Sequence, residues 1–227
     1  MEVIKTKNLT KTYDDGAVPV NAVNDVSLSI AEGEFTAVVG PSGSGKTTLL
    51  NIIGGLDRPT SGSVQVDGQE LRSLNENQLI KFRLDNIGFV FQAYNLIPVL
   101  TAKENTEFIM LLQGVNEKKR HERVMQLLEE VGIQEQANKR PGEMSGGQQQ
   151  RVAVARALAS QPKFVLADEP TANLDSKSAD NLLDLMLKLN KEENVTFIFS
   201  THDQRVIDRA RRVITLVDGA ISSDITK

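Results

Sequence analysis

The sequence has 227 residues, enough for one large domain or two small ones, and its 40% hydrophobic content is that of an ordinary globular protein. The net charge of −4 disfavours a nucleic-acid partner, and the absence of cysteine excludes disulfides and cysteine-based metal sites. Residues 1–7 lack the apolar core of a signal peptide, and no apolar run approaches the roughly 20 residues of a membrane span. We therefore expect a cytoplasmic protein without direct membrane insertion.

Two N-terminal segments, 3–9 and 26–30, alternate apolar with polar residues, which predicts half-buried strands. Turn-forming residues at 14–16 and at Pro19 separate them. Tyr13 ends the first segment. Its ring could cap the edge of the strand or stack on a nucleotide base, and the residues alone leave both roles open.

A glycine-rich loop lies between the apolar segment 35–39, a predicted buried strand, and the segment 47–53, a predicted helix that ends at the pair Gly54-Gly55. Glycines let successive backbone N–H groups converge on an anion, and the helix N-terminus adds partial positive charge at the same point. Lys46 can reach the β- and γ-phosphates, and the hydroxyl of Thr47 can ligate Mg²⁺. The alternative, a glycine-rich turn that binds nothing, is disfavoured by the strand, loop and helix context. The predicted nucleoside triphosphate cradle consists of Gly40, Pro41, Ser42, Gly43, Ser44, Gly45, Lys46, Thr47 and Thr48.

Residues 93–159 differ in character from the α/β pattern on either side. Within them, four apolar residues recur at helical spacing: Val124, Leu127, Leu128 and Val131. The sequence therefore predicts a largely helical subdomain at about 93–159, inserted into a core formed by 1–92 and 160–227.

Polar residues follow the apolar strands predicted at 87–91, 164–167 and 195–199. Because strands here alternate with helices, we expect a mainly parallel sheet whose carboxyl edge carries the ligands. The residues at that edge are Gln92, Asp168, Glu169 and His202.

Each of these edge residues has a chemical role that suits its side chain. Asp168 can hold Mg²⁺ directly or through water, because this cation prefers carboxylate oxygen. Glu169 is free to act on water as a general base, although adjacent carboxylates can also form a merely solvated turn. His202 can bond the γ-phosphate or the attacking water, or be an ordinary core histidine. Gln92 can orient water or be a neutral metal ligand.

The segment 144–148 predicts a second anion site. Ser145 is a good N-cap for a helix over 148–159, and two glycines at a helix start can bind an anion. The alternative is a plain capped helix start. This segment belongs to the helical subdomain, away from the first cradle, so it need not serve the same nucleotide within one chain.

Together these residues resemble the ATP-binding subunit of ATP-binding cassette (ABC) transporters, over essentially the whole chain and in the family's order. Residues 40–48 resemble the Walker A motif and 164–169 the Walker B strand with its catalytic glutamate. The other matches are Gln92 to the Q-loop, Ser145, Gly146, Gly147 and Gln148 to the signature motif, 173–175 with Asp175 to the D-loop, and His202 to the switch histidine.

The resemblance implies an α/β fold: a P-loop NTPase core with a mainly parallel sheet, an N-terminal antiparallel β subdomain and an inserted α-helical subdomain. It implies a single ABC ATP-binding domain over 1–227 that hydrolyses ATP with Mg²⁺. It also implies a head-to-tail homodimer with two ATP molecules between the subunits, so that the loop of one chain faces Ser145 and Gly147 of the other. Tyr13 lies where the family places its adenine-stacking aromatic residue, and Asp175 would contribute to the nucleotide interface.

Within the family, residues 51–60 and 91–98 and an insertion at 16–21 are similar to the lipoprotein-releasing and macrolide-export group (the LolD, MacB and FtsE types). This similarity implies a separate membrane permease, which we expect to dock near 93–105, and a peripheral location at the cytoplasmic face of the cell membrane. The alternative is a soluble ABC ATPase of DNA maintenance or translation. The short spacing between Lys46 and Ser145, the single cassette and the negative charge disfavour it.

Overall fold

The computed structural model of the chain describes residues 1–14 and 18–227. The predicted turn at 14–16 and the first part of the insertion at 16–21 lie largely outside the described residues. The strands are β1 (Glu2–Tyr13), β2 (Val20–Ala31), β3 (Phe35–Val39), β4 (Ser61–Val66), β5 (Gln69–Glu70), β6 (Ile87–Phe91), β7 (Phe164–Asp168), β8 (Phe197–Ser200), β9 (Arg212–Val217) and β10 (Ala220–Thr226).

The α-helices alternate with the later strands. They are α1 (Lys46–Ile53), α2 (Glu76–Asn86), α3 (Ala102–Leu112), α4 (Glu117–Glu130), α5 (Gly146–Ala159), α6 (Ser176–Glu193) and α7 (Gln204–Arg209). Short 3-10 helices occupy Leu71–Ser73, Gln134–Gln136 and Pro141–Glu143. Among the described residues, no helix combines the length and the apolar character that crossing a bilayer requires.

The strands form two sheets. A four-stranded sheet has the order β2-β1-β4-β5 with every neighbouring pair antiparallel, and it confirms the predicted N-terminal antiparallel part. A six-stranded sheet has the order β10-β9-β3-β8-β7-β6, and it is parallel from β9 to β6, with only β10 running antiparallel. The predicted, mainly parallel sheet is therefore confirmed.

The six-stranded sheet is covered on both faces. Alternate side chains of a strand point to opposite sides of the sheet, so one strand can contribute to an apolar cluster on each face. In β8, Phe197 and Phe199 join one apolar cluster, while Ile198 joins the other. The first cluster contains the buried faces of α3 to α6, and the second contains α1 and the antiparallel sheet. Strands buried on both faces explain the continuous apolar runs of the sequence.

Helices α3, α4 and α5 lie between β6 and β7, inside the predicted helical segment 93–159. The apolar stripe of α4 is fully buried at Val124, Leu127 and Leu128. These side chains share one apolar cluster with the sheet residues Val165 and Phe197. The division of the chain into a core and a subdomain at about 93–159 stays a prediction.

The sequence patterns did not predict α2, α7 or β10. Helix α2 buries a single residue, Leu79, and α7 likewise only Val206, so neither shows an apolar stripe. Strand β10 has no buried residue, because it is the outer, antiparallel edge of the sheet. Elements that bury so little carry almost no hydrophobic period for sequence reasoning to find.

Candidate active site

The glycine-rich loop connects the end of β3 with the start of α1, at the carboxyl edge of the parallel sheet. Gly45 is the N-cap of α1 and has a φ of 96°, a left-handed conformation that favours glycine. A side chain there would also run into the carbonyl oxygen of Ala22. The loop can therefore pass close to β2 and turn directly into the helix, with the free N–H groups of α1 pointing into the loop.

Lys46 is folded back over this loop. Its Nζ donates hydrogen bonds to the carbonyl oxygens of Gly40 (2.8 Å) and Pro41 (3.0 Å). The ammonium group thus lies at the rim of the cradle, where a phosphate could replace the two carbonyl oxygens as its partner.

A cavity of about 590 Å³ opens above the loop, within the size range of small-molecule sites. It is lined by eight of the nine predicted cradle residues: Gly40, Pro41, Ser42, Gly43, Gly45, Lys46, Thr47 and Thr48. Ser44 is the exception, since its side chain points inward and it is 3% exposed. The other lining residues are Val20, Ala22, Gln92, Glu169, Ala172, Ser200 and His202, so the structure brings Gln92, Glu169 and His202 to the loop.

Thr47 and Asp168 place oxygen atoms side by side at the edge of this cavity. The Thr47 hydroxyl lies 3.2 Å from each carboxylate oxygen of Asp168. Within residues 1–14 and 18–227, no cluster of three or more His, Cys, Asp or Glu could hold a metal by itself. A hydroxyl, one carboxylate and the nearby Gln92 amide nonetheless fit Mg²⁺, which typically takes few protein ligands and completes its coordination with phosphates and water.

Glu169 points away from Asp168, towards β8. Its Oε1 lies 2.7 Å from Nδ1 of His202, and because a carboxylate only accepts, the imidazole donates this hydrogen bond. The hydroxyl of Thr201 donates to Oε2 at 3.2 Å. The side chain of Glu169 is 17% exposed and that of His202 is 76% exposed, so the hydrogen bond joins a largely buried carboxylate to an exposed imidazole.

Sequence reasoning missed the residues that fix the loop after β8. Thr201 was not singled out, and Thr171 donates to the Asp203 carboxylate at 2.7 Å. Hydrogen bonds from Arg205, followed by the one from Thr171, lower the pKa of Asp203 to about 2 despite its partial burial. Asp203 also caps α7, where its side chain accepts a hydrogen bond from the backbone N–H of Arg205. Aspartate is a preferred N-cap residue, so Asp203 could have indicated this helix start in the sequence.

Tyr13 is the last residue of β1 and does not line the cavity. Its hydroxyl donates to Asp57 at 2.8 Å, and the ammonium of Lys11 lies 4.9 Å from the ring centroid. Burial and the hydrogen bond to Asp57 raise the pKa of Tyr13. The ring is 37% exposed, and its stacking on a base stays a prediction.

The second predicted anion site lies apart from the first. Ser145 caps α5 through a reciprocal pair of hydrogen bonds with Gln148, and Gly146 and Gly147 form the first turn. None of these residues lines the cavity. They lie instead near Asp175, because a Cβ added at Gly147 would lie 3.2 Å from the Ser178 hydroxyl, which donates to Asp175 at 2.6 Å. These bonds from Ser178 lower the pKa of Asp175.

Residues 23–172 match a family model described as "ABC transporter". The chain belongs to the ABC transporter family. An uncharacterized ABC transporter ATP-binding protein, MJ0796 of Methanocaldococcus jannaschii, is 46% identical over 98% of this chain and 96% of its own length. The lipoprotein-releasing system ATP-binding protein LolD of Legionella pneumophila (strain Lens) is 44% identical over 96% of both chains.

A further relative of this ABC protein is the macrolide export ATP-binding/permease protein MacB of Aggregatibacter actinomycetemcomitans. It is 44% identical over the whole chain, which spans 35% of that longer protein. A solved dimeric structure of MJ0796 in a post-hydrolysis state with ADP and Pi has a TM-score of 0.90 at 45% identity over 98% of both chains. This chain is thus an ATP-binding ABC ATPase of the group that includes LolD and MacB. The alternative in DNA maintenance or translation receives no support.

Proposed function

We propose that two copies of this ATPase assemble head to tail and enclose two ATP molecules. Each nucleotide lies between loop 40–48 of one chain and Ser145, Gly146, Gly147 and Gln148 of the other. The observation that carries the proposal is the open cavity that holds the loop, Gln92, Glu169 and His202 but none of residues 145–148. A capped, glycine-containing helix start that does not line this cavity in the described part of the chain is explained if it completes the site of a second copy. The dimeric structure of the related cassette supports this arrangement.

The residues of the cavity divide the chemistry of hydrolysis among them. Glu169 takes a proton from the attacking water, and His202 orients Glu169 and contacts the γ-phosphate. Gln92 orients the same water. Lys46, together with Ser145 of the second copy, neutralises the charge that grows on the terminal phosphate.

Three residues would hold Mg²⁺ with the nucleotide: Thr47, Asp168 and Gln92. The ion supplies charge neutralisation at the phosphate oxygens. Tyr13 would stack on the adenine at the end of the site, and Asp175 would contact the second copy beside the signature residues.

We also propose that a separate membrane permease docks near residues 93–105, at the cytoplasmic face of the membrane. The similarity to the lipoprotein-releasing protein LolD and the macrolide-export protein MacB suggests a permease of one of these two types. Val99, 71% exposed, presents an apolar side chain on this segment, which directly follows Gln92. A permease bound to this segment would be able to displace Gln92, the proposed water-orienting residue, because the two are joined by a short stretch of main chain.

The substitution Glu169→Gln tests the proposal on the full chain. Turnover of ATP should fall by about 100-fold or more because the general base is lost. The dimer should accumulate with ATP because the interface remains and hydrolysis no longer opens it. Light scattering and phosphate release measure the two effects.

The matched control is Glu129→Gln on the exposed face of α4, which should leave both readings unchanged. If Glu169→Gln turned over ATP at the normal rate, the assignment of the base would be wrong. If the variant stayed monomeric at saturating ATP, the head-to-tail assembly would be wrong.

A further inference from the structure

Gln150 is a fully buried polar residue on α5, and the chemistry described above gives it no role. Its Nε2 donates a hydrogen bond of 2.8 Å to the carbonyl oxygen of Pro170 and a weaker one of 3.4 Å to that of Phe91. One carboxamide thus bridges two segments that come from different strands of the parallel sheet.

The orientation of this amide follows from its partners. Both neighbours are main-chain carbonyls, which only accept, so the NH₂ group must face them. Its own oxygen, Oε1, is buried and has no hydrogen-bond partner among the described residues. A buried acceptor without a partner is costly, so Gln150 is poorly explained as a side chain that merely stabilises the fold.

The two carbonyls flank the proposed catalytic residues. Phe91 directly precedes Gln92, and Pro170 directly follows Glu169. The segment after Gln92 is held from the same helix, since Arg156 donates to the carbonyl oxygens of Tyr94 and Asn95.

This second segment is itself in an unusual conformation. Tyr94 and Asn95 have φ angles of 59° and 50°, which non-glycine residues rarely adopt in succession. The side chain of Asn173 adds a bond of 2.9 Å to the carbonyl oxygen of Gln92. The backbone on both sides of the water-orienting residue is therefore fixed to α5 and to the segment after Glu169.

Helix α5 also carries the second anion site at its start. Gln150 lies five residues after Ser145, or about 7.5 Å along the helix axis at a rise of about 1.5 Å per residue. A shift of the helix start is therefore carried rigidly to the Gln150 amide, and through it to the main chain beside Glu169 and Gln92.

We propose that Gln150 is a positioning residue that couples the helix start of a chain to that chain's own catalytic residues. When Ser145, Gly146 and Gly147 engage the nucleotide of the second copy, the Gln150 amide carries the shift of α5 to Pro170 and Phe91. Hydrolysis in one site is thereby linked to occupation of the other. This inference rests on the proposed head-to-tail dimer and on Glu169 as the base.

The substitution Gln150→Met on the full chain tests it, because methionine keeps the length of the side chain and removes both donors. We expect kcat for ATP hydrolysis to fall about 10- to 100-fold, since small misplacement of a catalytic group has effects of this size. The KM for ATP should stay within about twofold, because loop 40–48 is untouched.

Two controls separate coupling from a general loss of stability. Gln126→Met makes the same change on the exposed face of α4, and Val124→Ala weakens the buried core of that helix. Both should keep kcat within about twofold. Val124→Ala and Gln150→Met are compared at equal melting temperature. If kcat falls as far in Val124→Ala as in Gln150→Met, the inference is wrong.

The double variant Gln150→Met/Glu169→Gln keeps the test decisive. Nucleotide-dependent dimerisation should match that of Glu169→Gln alone, which also shows that the Gln150 variant folds. A double variant that no longer dimerises would assign Gln150 to assembly and overturn the inference. If Gln150→Met has a normal kcat while Glu169→Gln is inactive and dimeric, the inference is wrong and the proposed function still stands. An active Glu169→Gln would instead overturn the proposed function.

Discussion

Glu169 has its position fixed before any substrate arrives. Its φ of 46° lies in the left-handed region, which is unfavourable for a side chain of this size. The bonds from His202 and Thr201 engage one carboxylate oxygen each and keep the group aimed at β8. Each oxygen retains a further lone pair, so the carboxylate can still accept a proton from water.

Removal of the imidazole that bonds this carboxylate should affect turnover rather than binding. His202→Ala should lower kcat by about 100-fold or more because the base loses its orienting partner, while the KM for ATP changes little because loop 40–48 is untouched. Steady-state phosphate release measures both constants.

The chain offers a matched control in its second histidine. His121 is exposed on α4, and His121→Ala should behave as the unchanged chain. Loss of ATP binding, rather than of turnover, in His202→Ala would contradict the role given to the imidazole.

Sequence reasoning was effective for residues whose role depends on local pattern. The spacing of the glycine loop and the strand-end positions of Gln92, Glu169 and His202 were enough to predict that they share one cavity. The inward side chain of Ser44 and the bonds of Gln150 could not be predicted. The bonds of Gln150 join residues 59 and 20 positions apart, and the burial of Ser44 also depends on tertiary packing, neither of which a local pattern encodes.

Among the elements, helix α1 ends at two glycines that serve different purposes. The Gly54-Gly55 pair in the sequence predicts the end of the helix. Gly55 fits that role, with a φ of 63°, but Gly54 has an ordinary helical φ of −76°. A Cβ at Gly54 would lie 2.7 Å from the Phe89 ring and 2.9 Å from a methyl group of Leu166. Gly54 is therefore needed for the close packing of α1 on the sheet.

The substitution Gly54→Ala tests this assignment. The added methyl group must push aside a ring and a branched side chain in a filled core, so we expect a loss of about 1–3 kcal/mol in the free energy of unfolding. Gly142→Ala is the control, since nothing lies within 4 Å of a Cβ there, and it should be nearly neutral. Urea denaturation of the nucleotide-free chain measures the free energy of unfolding of both variants. If Gly54→Ala leaves it unchanged, the core accommodates the added methyl group and glycine is not needed there.

Helix starts carry a second sequence signal that is independent of how much surface the helix buries. Asn75 and Gln78 form reciprocal bonds at the N-terminus of α2, and Thr101 and Glu104 do the same for α3. This capping pattern is visible in the sequence and does not depend on an apolar stripe. Strand β10 has no such signal, because its position follows from the pairing with β9.

For the molecule as a whole, the starts of α1 and α5, both predicted to bind anions, face different surroundings. The start of α1 opens into the 590 Å³ cavity, whereas the start of α5 lies beside Asp175 and outside it. In the proposed head-to-tail dimer, each chain would therefore contribute half of each of two sites.

Turnover should accordingly depend on collisions between chains. At saturating ATP and at concentrations where monomers predominate, a tenfold dilution should lower the specific activity by close to tenfold, by mass action. ATP bound per chain, measured over the same dilution, should stay constant, because the loop of one chain suffices for binding. A specific activity independent of concentration, with light scattering showing only monomers, would contradict an active site shared between two copies.

The two hydrogen bonds from Lys46 to the carbonyl oxygens of Gly40 and Pro41 tie the start of α1 to the loop and help to fix the curvature of the loop. The conformational entropy lost in shaping this segment is then part of the free energy of folding and not of binding. Binding of a triphosphate at this loop should therefore require little further ordering of the main chain, which is the advantage of a preorganised receptor.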